Sequence, residues 1–279
     1  MRKFQILLLM ICLLTGCSST MIIHPTKVPV EGEFRITVLK AGQADAIVLH
    51  TLTHTVLIDC GEQDDGDDLV AYLQNQGVKH IDYLFITHFD KDHVGGVPEV
   101  LDNYSVDHIM VPDYIGTGSK YVKYQNYLFE HQLHDEVVGE TMSLILDDVA
   151  LCVYPPMESS YKAGDNDFSL VISVVHGENS FLFAGDAEKQ RLMELEKQMD
   201  LQHTFLKIPH HGRCNSYTEE FLSLVKPKYA VVTCSEKNPA ESQLFEFLSS
   251  IGCKSFTTAE ADFMIHCDGK QIYINDGRK

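Results

Sequence analysis

Between residues 87 and 96 the chain reads Thr-His-Phe-Asp-Lys-Asp-His-Val-Gly-Gly. This segment constrains the fold more than any other. Four potential metal ligands, His88, Asp90, Asp92 and His93, fall within six residues, directly after the apolar run Ile81 to Thr87. Imidazole and carboxylate donors suit zinc, manganese or iron. A tight loop turns alternate side chains into one cavity. Gly95 and Gly96 allow close backbone approach and a turn into a following helix. The ordinary alternative is a solvated acidic turn with incidental histidines, which the spacing and the double glycine disfavour.

Two further clusters follow apolar strands. Phe181-Leu182-Phe183-Ala184-Gly185-Asp186 ends in an acid that, taken alone, reads as an N-cap for the next helix. Ile208-Pro209-His210-His211-Gly212 places paired histidines at a strand end, and a surface pair is an equal alternative there. Beside the first loop both change meaning. His88, Asp90, Asp92, His93, Asp186 and His210 make six nitrogen and oxygen ligands, enough for two divalent metal ions, zinc or manganese.

The surrounding pattern is α/β. Strand-like segments at 34–39, 46–50, 56–59, 81–87, 107–111, 168–175, 181–184, 205–208 and 229–233 alternate with helical ones near 67–76, 187–198, 218–225 and 241–250. Further strands are expected at 144–154, 263–267 and 271–274. In such sheets chemistry gathers where strands run out into loops, and all three clusters sit at strand exits. Residues 113–140, rich in Tyr, His and Gly, give no firm assignment and are expected to cover the site or carry specificity.

The N-terminus reads as a targeting segment. Arg2 and Lys3 precede the apolar run Ile6 to Leu14, too short to span a bilayer comfortably. The following Leu14-Thr15-Gly16-Cys17 resembles a bacterial lipobox. The expectation is a lipoprotein signal peptide over 1–16, lipidation at Cys17, a tether over 17–32 and one hydrolase domain over 33–279. The product would be exported and anchored to the bacterial cell membrane.

The formal charge is −18 for 279 residues. That acidity argues against avid, non-specific duplex binding, which needs Lys and Arg to neutralise phosphates. With Cys12 of the leader and the lipidated Cys17 set aside, six cysteines remain, with no Cys-x-x-Cys, and buried thiols rather than bridges are expected.

The order of these clusters resembles the metallo-β-lactamase superfamily. More narrowly, it is similar to the hydrolase domain of ComEC-type competence proteins. Ala41-Gly42-Gln43-Ala44-Asp45-Ala46, Val56-Leu57-Ile58-Asp59-Cys60-Gly61 and Asn166-Asp167-Phe168-Ser169 extend the likeness over residues 34–276. The resemblance implies a four-layer αββα sandwich with metals at one edge between the sheets. It places His88 and Asp90 on one metal, Asp92, His93 and His210 on the other, with Asp186 bridging and Asp59 supporting the loop. Asp90 stands where most members carry His, and the usual extra His has no match, Asn166 and Asp167 occupying its region. Such a carboxylate-rich site leans towards harder ions such as manganese.

Asp92, Asp186 and His211 are the catalytic candidates, with His211 or Lys207 meeting a developing oxyanion. The first functional expectation is hydrolysis of a phosphodiester, possibly single-stranded DNA, by hydroxide generated on the metals. Amide, lactone or β-lactam hydrolysis on the same metals is the alternative. A non-catalytic surface lipoprotein on a decayed scaffold is the third reading.

Overall fold

A computed structural model of the chain describes residues 29–30 and 32–277. The signal peptide, Cys17 and nearly all of the tether lie outside the described residues.

The first six strands form one sheet: β1 (Phe34–Val38), β2 (Ala46–His50), β3 (Thr55–Cys60), β4 (Ile81–Phe85), β5 (Val106–Pro112) and β6 (Glu136–Val138). The next seven form a second: β7 (Met142–Leu146), β8 (Val149–Tyr154), β9 (Val171–His176), β10 (Asn179–Phe183), β11 (Phe205–Lys207), β12 (Tyr229–Val232) and β13 (Lys254–Thr257). Strands β14 (Phe263–Cys267) and β15 (Ile272–Asn275) return to the first sheet, β14 pairing antiparallel with β1. The orders are β15-β14-β1-β2-β3-β4-β5-β6 and β13-β12-β11-β10-β9-β8-β7. From β3 to β6, and again from β10 to β13, neighbours are parallel.

Parallel neighbours need crossovers, and helices supply them. In chain order these are α1 (Gly66–Asn75), α2 (Lys91–Val94), α3 (Val97–Asn103), α4 (Ser119–His131), α5 (Lys189–Gln198), α6 (Thr218–Val225) and α7 (Ser242–Ser250). The period-2 alternation of each strand then fixes three apolar layers. Val56 and Ile58 of β3 face Phe181 and Phe183 of β10 in the core between the sheets. Leu57 points the other way, under Leu69 and Leu73 of α1 and Tyr124 of α4. Leu182 and Leu206 likewise pack under Leu192, Phe221 and Leu248 of α5, α6 and α7. The result is the expected αββα sandwich. Burying one such leucine stabilises by about 1.5–3 kcal/mol.

The weakly read region 113–140 contains α4. Its only fully buried residues are Tyr124 and Leu128, so its apolar stripe is short and partly tyrosine. The expected strand start at Phe168 is a tight turn over Gly164–Phe168, and the strand begins at Val171. Cys60, Cys152, Cys214, Cys234, Cys253 and Cys267 carry free thiols.

Candidate metal centre

Every chemistry-bearing segment leaves the carboxyl end of a parallel strand. Asp59 is near the end of β3. Thr87 and His88 follow β4, Asp186 follows β10, His210 and His211 follow β11, and Thr233 follows β12. The two sheets present these ends to one cleft of about 490 Å³. The glycines of the first loop are needed for closure: a Cβ on Gly96 would lie 2.3 Å from the Cys60 carbonyl oxygen, and one on Gly95 2.4 Å from that of Lys91.

Asp92, His93, Asp186 and His211 each offer a ligand atom within 4.8 Å of the others. His211 Nε2 is 3.0 Å from Asp186 Oδ2 and 3.5 Å from Asp92 Oδ2, and His93 Nε2 is 3.4 Å from Asp186 Oδ2. On the far side of His93 the His88 ring lies 4.1 Å away, centroid to centroid, with Asp90 Oδ2 3.8 Å from His88 Nε2.

The outer partners fix the tautomer of each ring. Asp59 accepts from the Thr87 backbone N–H (2.7 Å), the Thr87 hydroxyl (2.7 Å) and His93 Nδ1 (2.8 Å). The Thr87 hydroxyl spends its one proton on Asp59, so it accepts from His88 Nδ1 at 3.1 Å. Thr233 repeats the device, donating to Asp45 Oδ1 (2.8 Å) and accepting from His211 Nδ1 (2.9 Å). All three rings therefore carry a proton on Nδ1 and, when neutral, turn the Nε2 lone pair inward, the arrangement of a metal-ligating histidine. His88 Nε2, His93 Nε2, His211 Nε2 and Asp186 Oδ1 are buried and make no hydrogen bond. Buried polar atoms left this way are costly, and a cation between them satisfies all four. The residues present thus fit divalent metal. A second close group, Asp45, Asp59 and His93, is outer support instead, because its carboxylates are already committed to Thr87, Thr233 and Lys207.

The electrostatics carry the same demand. Burial opposes charge on His93, yet Asp186 and Asp59 outweigh it and hold its pKa well above the usual range. His211, against its own burial, is lifted by Asp186 and Asp92 to about 9. Asp186 is held well below the carboxylate range, burial being overcome by His211 and His93. Asp90 rises to about 6 through burial and the neighbouring Asp165 and Asp92. His88, buried beside His93, is pushed down. With no ion, protons on His93 and His211 balance the carboxylates.

The structure places two of the expected residues differently. His210, chosen because it directly follows Pro209, does not join the cluster; His211 does. Both residues adopt left-handed backbone, with φ of 48° and 52°. The two consecutive left-handed residues rotate the chain after Pro209, so that the second imidazole enters the cleft. Such strain in non-glycine residues concentrates at functional sites. His210 stays at the cleft wall, 23% exposed, with Nδ1 3.6 Å from Glu188 and Nε2 3.4 Å from the Asn166 amide. Lys207 is not available to an oxyanion. It is fully buried, paired with Asp45, 3.7 Å from Asp186 Oδ1, and donates to the Gly185 carbonyl. Asp167, in the region of the missing histidine, caps α5 through the Glu188 (2.8 Å) and Arg191 (3.3 Å) N–H groups. Sequence reasoning gave no role to Thr87, Thr233 or Asp45, isolated polar residues at strand ends that carry no spacing signal.

Residues 39–235 match the profile of the Metallo-beta-lactamase superfamily. ComE operon protein 3 of Bacillus subtilis is 29% identical over 171 residues, covering 61% of this chain and 22% of that protein. Competence protein ComA of Neisseria gonorrhoeae is 28% identical over 220 residues, covering 77% and 29%. Recombination protein 2 of Haemophilus influenzae is 25% identical, covering 74% and 25%. The chain thus spans about a quarter of the length of these relatives. Among solved structures, the metallo-beta-lactamase fold protein YhfI from Bacillus subtilis superposes with a TM-score of 0.59 at 10% identity, over 85% of this chain and 100% of that one. With the fold, the ligand-bearing strand ends and the profile in agreement, this chain belongs to the metallo-β-lactamase superfamily of hydrolases.

Proposed function

We propose that the chain is a dinuclear metallohydrolase of phosphodiesters, exported and held at the membrane by lipid on Cys17. The observation that carries the reading is the inward set of three Nδ1-protonated imidazoles around Asp186. In it, His88 and Asp90 would hold one ion and Asp92, His93 and His211 the other, with Asp186 contributing its carboxylate to the pair. Bound there, two divalent ions supply Lewis acidity to a phosphoryl oxygen and acidify water at neutral pH.

The chain's own residues provide position. Ser169 Oγ accepts from the Asp186 backbone N–H at 3.1 Å and donates to the Asn166 carbonyl, fixing the turn that presents Asp186. His210 and Asn166 line the cleft, and Glu188 holds the Asn166 amide from behind at 2.9 Å. The competence proteins among the relatives support a nucleic-acid substrate. The net charge of −18 supports a short single strand over a long duplex, because fewer phosphates then need neutralising.

The test is turnover by the metal-loaded chain on bis(p-nitrophenyl) phosphate, on single-stranded DNA and on nitrocefin. Cleavage of the first two is expected. Nitrocefin cleavage alone would move the assignment to β-lactam hydrolysis, and bound metal with no turnover on any substrate would refute catalysis. Lipidation is read by labelled palmitate: incorporation that Cys17→Ser abolishes is expected, and none in the parent chain refutes the anchor.

A further inference from the structure

Arg213 follows the metal-binding turn and lines the same cleft as Asp92, Asp186 and His211. The cleft is electrostatically two-sided. The loop after β3 brings Glu62, Asp64 and Asp65, and the lysine that lines the cleft with them, Lys91, is bound to Glu62 at 2.8 Å. The loops after β11 and β12, with the β1–β2 turn, bring Arg213, Ser235, Asn238 and Gln43, all cationic or neutral.

Arg213 is held without being neutralised. With its carbonyl oxygen turned to the guanidinium, the Gln43 amide accepts from Nε at 3.1 Å and Nη2 at 2.9 Å. Among the described residues no carboxylate lies within 4.0 Å of the Arg213 nitrogens. Gln43 comes from the first sheet's turn and Arg213 from the second sheet's loop, so the pair also ties the two halves of the cleft. An oriented guanidinium held by a neutral amide keeps its full charge and its remaining N–H groups for an anion.

We propose that Arg213, positioned by Gln43, forms a subsite for a second phosphate of the substrate, next to the phosphoryl group at the metals. This rests on the phosphodiester reading and deepens it: the preferred substrate carries at least two phosphates, and its chain lies over the Arg213 wall, away from Glu62, Asp64 and Asp65. An acidic protein thereby selects a phosphate chain through one oriented fork.

Calorimetric titration of the zinc-loaded full chain with thymidine 3′,5′-bisphosphate and with thymidine 5′-monophosphate tests this without turnover. The bisphosphate is expected to bind tighter by roughly tenfold to a hundredfold, the range of charge-assisted hydrogen bonds. Arg213→Gln brings the ratio to near one, Arg213→Lys keeps part of it, and Gln43→Leu, which leaves the charge but frees the fork, gives an intermediate ratio. Zinc content and circular dichroism establish that each variant is folded and loaded. Equal affinity of the parent chain for both ligands, or a preference that survives Arg213→Gln, overturns the subsite. If no phosphodiester is cleaved yet the Arg213-dependent preference is found, the catalytic reading fails and the subsite stands. If phosphodiesters are cleaved and the preference is absent, the reverse holds.

Discussion

Asp59→Asn separates metal binding from fold. The Asp59 carboxylate is fully buried and accepts from three donors, two on Thr87 and one on His93 Nδ1. An amide keeps one acceptor oxygen for the Thr87 N–H and sets an NH2 group opposite the other two. The Thr87 hydroxyl adapts by rotating its proton away. His93 adapts only by giving up its Nδ1 proton, which moves the proton to Nε2 and removes the lone pair aimed at Asp186. Loss of an outer partner of this kind lowers metal affinity by about 10–100-fold. The metal-free fold responds differently. Burial raises the Asp59 pKa, and His93 and Thr87 only partly offset it. A carboxyl whose pKa folding raises costs stability at every pH above its unfolded value. Removing that charge relieves its desolvation but also takes from the protonated His93 of the metal-free protein one of its two carboxylate partners, and the metal-free Tm reports the balance. Zinc affinity by chelator competition and the Tm of the metal-free variant give the two readings. Parental zinc affinity in Asp59→Asn would refute the tautomer argument, and a large drop in metal-free Tm would show that Asp59 serves the fold instead.

Other outcomes follow from the same geometry. His211→Ala should lose at least one bound ion by elemental analysis, while His210→Ala retains both; the opposite result would restore His210 as the ligand. In the metal-free protein His211 has its pKa raised to about 9, above the unfolded value near 6.5. Its contribution, on the order of 3 kcal/mol, is fully present below about pH 6.5 and lost as pH rises through about 9. The metal-free Tm should fall across that window, and a flat profile would contradict the assignment. Lys207→Met leaves the buried Asp45 without its cation and should destabilise by about 3–5 kcal/mol in chemical denaturation. Adding Asp45→Asn should recover much of this, and no recovery would mean that Lys207 acts elsewhere.

The sandwich and most of its strands were readable because burial on both faces writes apolar runs such as Val149–Tyr154 and Phe181–Ala184. Short-range clustering made the 88–93 loop readable too, since its ligands are neighbours in the chain. The choice between His210 and His211 was not readable. It depends on two left-handed residues in succession, a conformation no side-chain pattern announces. The helix α4 escaped for a different reason: it buries Tyr124 and Leu128 but exposes Val122 and Phe129, so its polarity does not track its packing. Lys207 reads as one more lysine until the strand alternation of β11 turns it inward, on the same side as Phe205, where it meets an acid from the other half of the molecule.

Charge balance links these pieces to the number of ions. Asp45, Asp59, Asp90, Asp92 and Asp186 surround the three inward rings, and Lys207 is the permanent cation buried among them. With neutral imidazoles the group carries four uncompensated negative charges, which two divalent cations cancel. One ion leaves two charges, and the groups able to take up protons against them are His93 and His211, whose pKa values the site already raises. A protonated ring has no lone pair for a metal. Half-filling therefore works against its own ligands, whereas the filled pair leaves every ring neutral and every carboxylate matched. On the proposed reading this favours two ions over one, and a centre so loaded would no longer repel an anionic ester from so acidic a cleft.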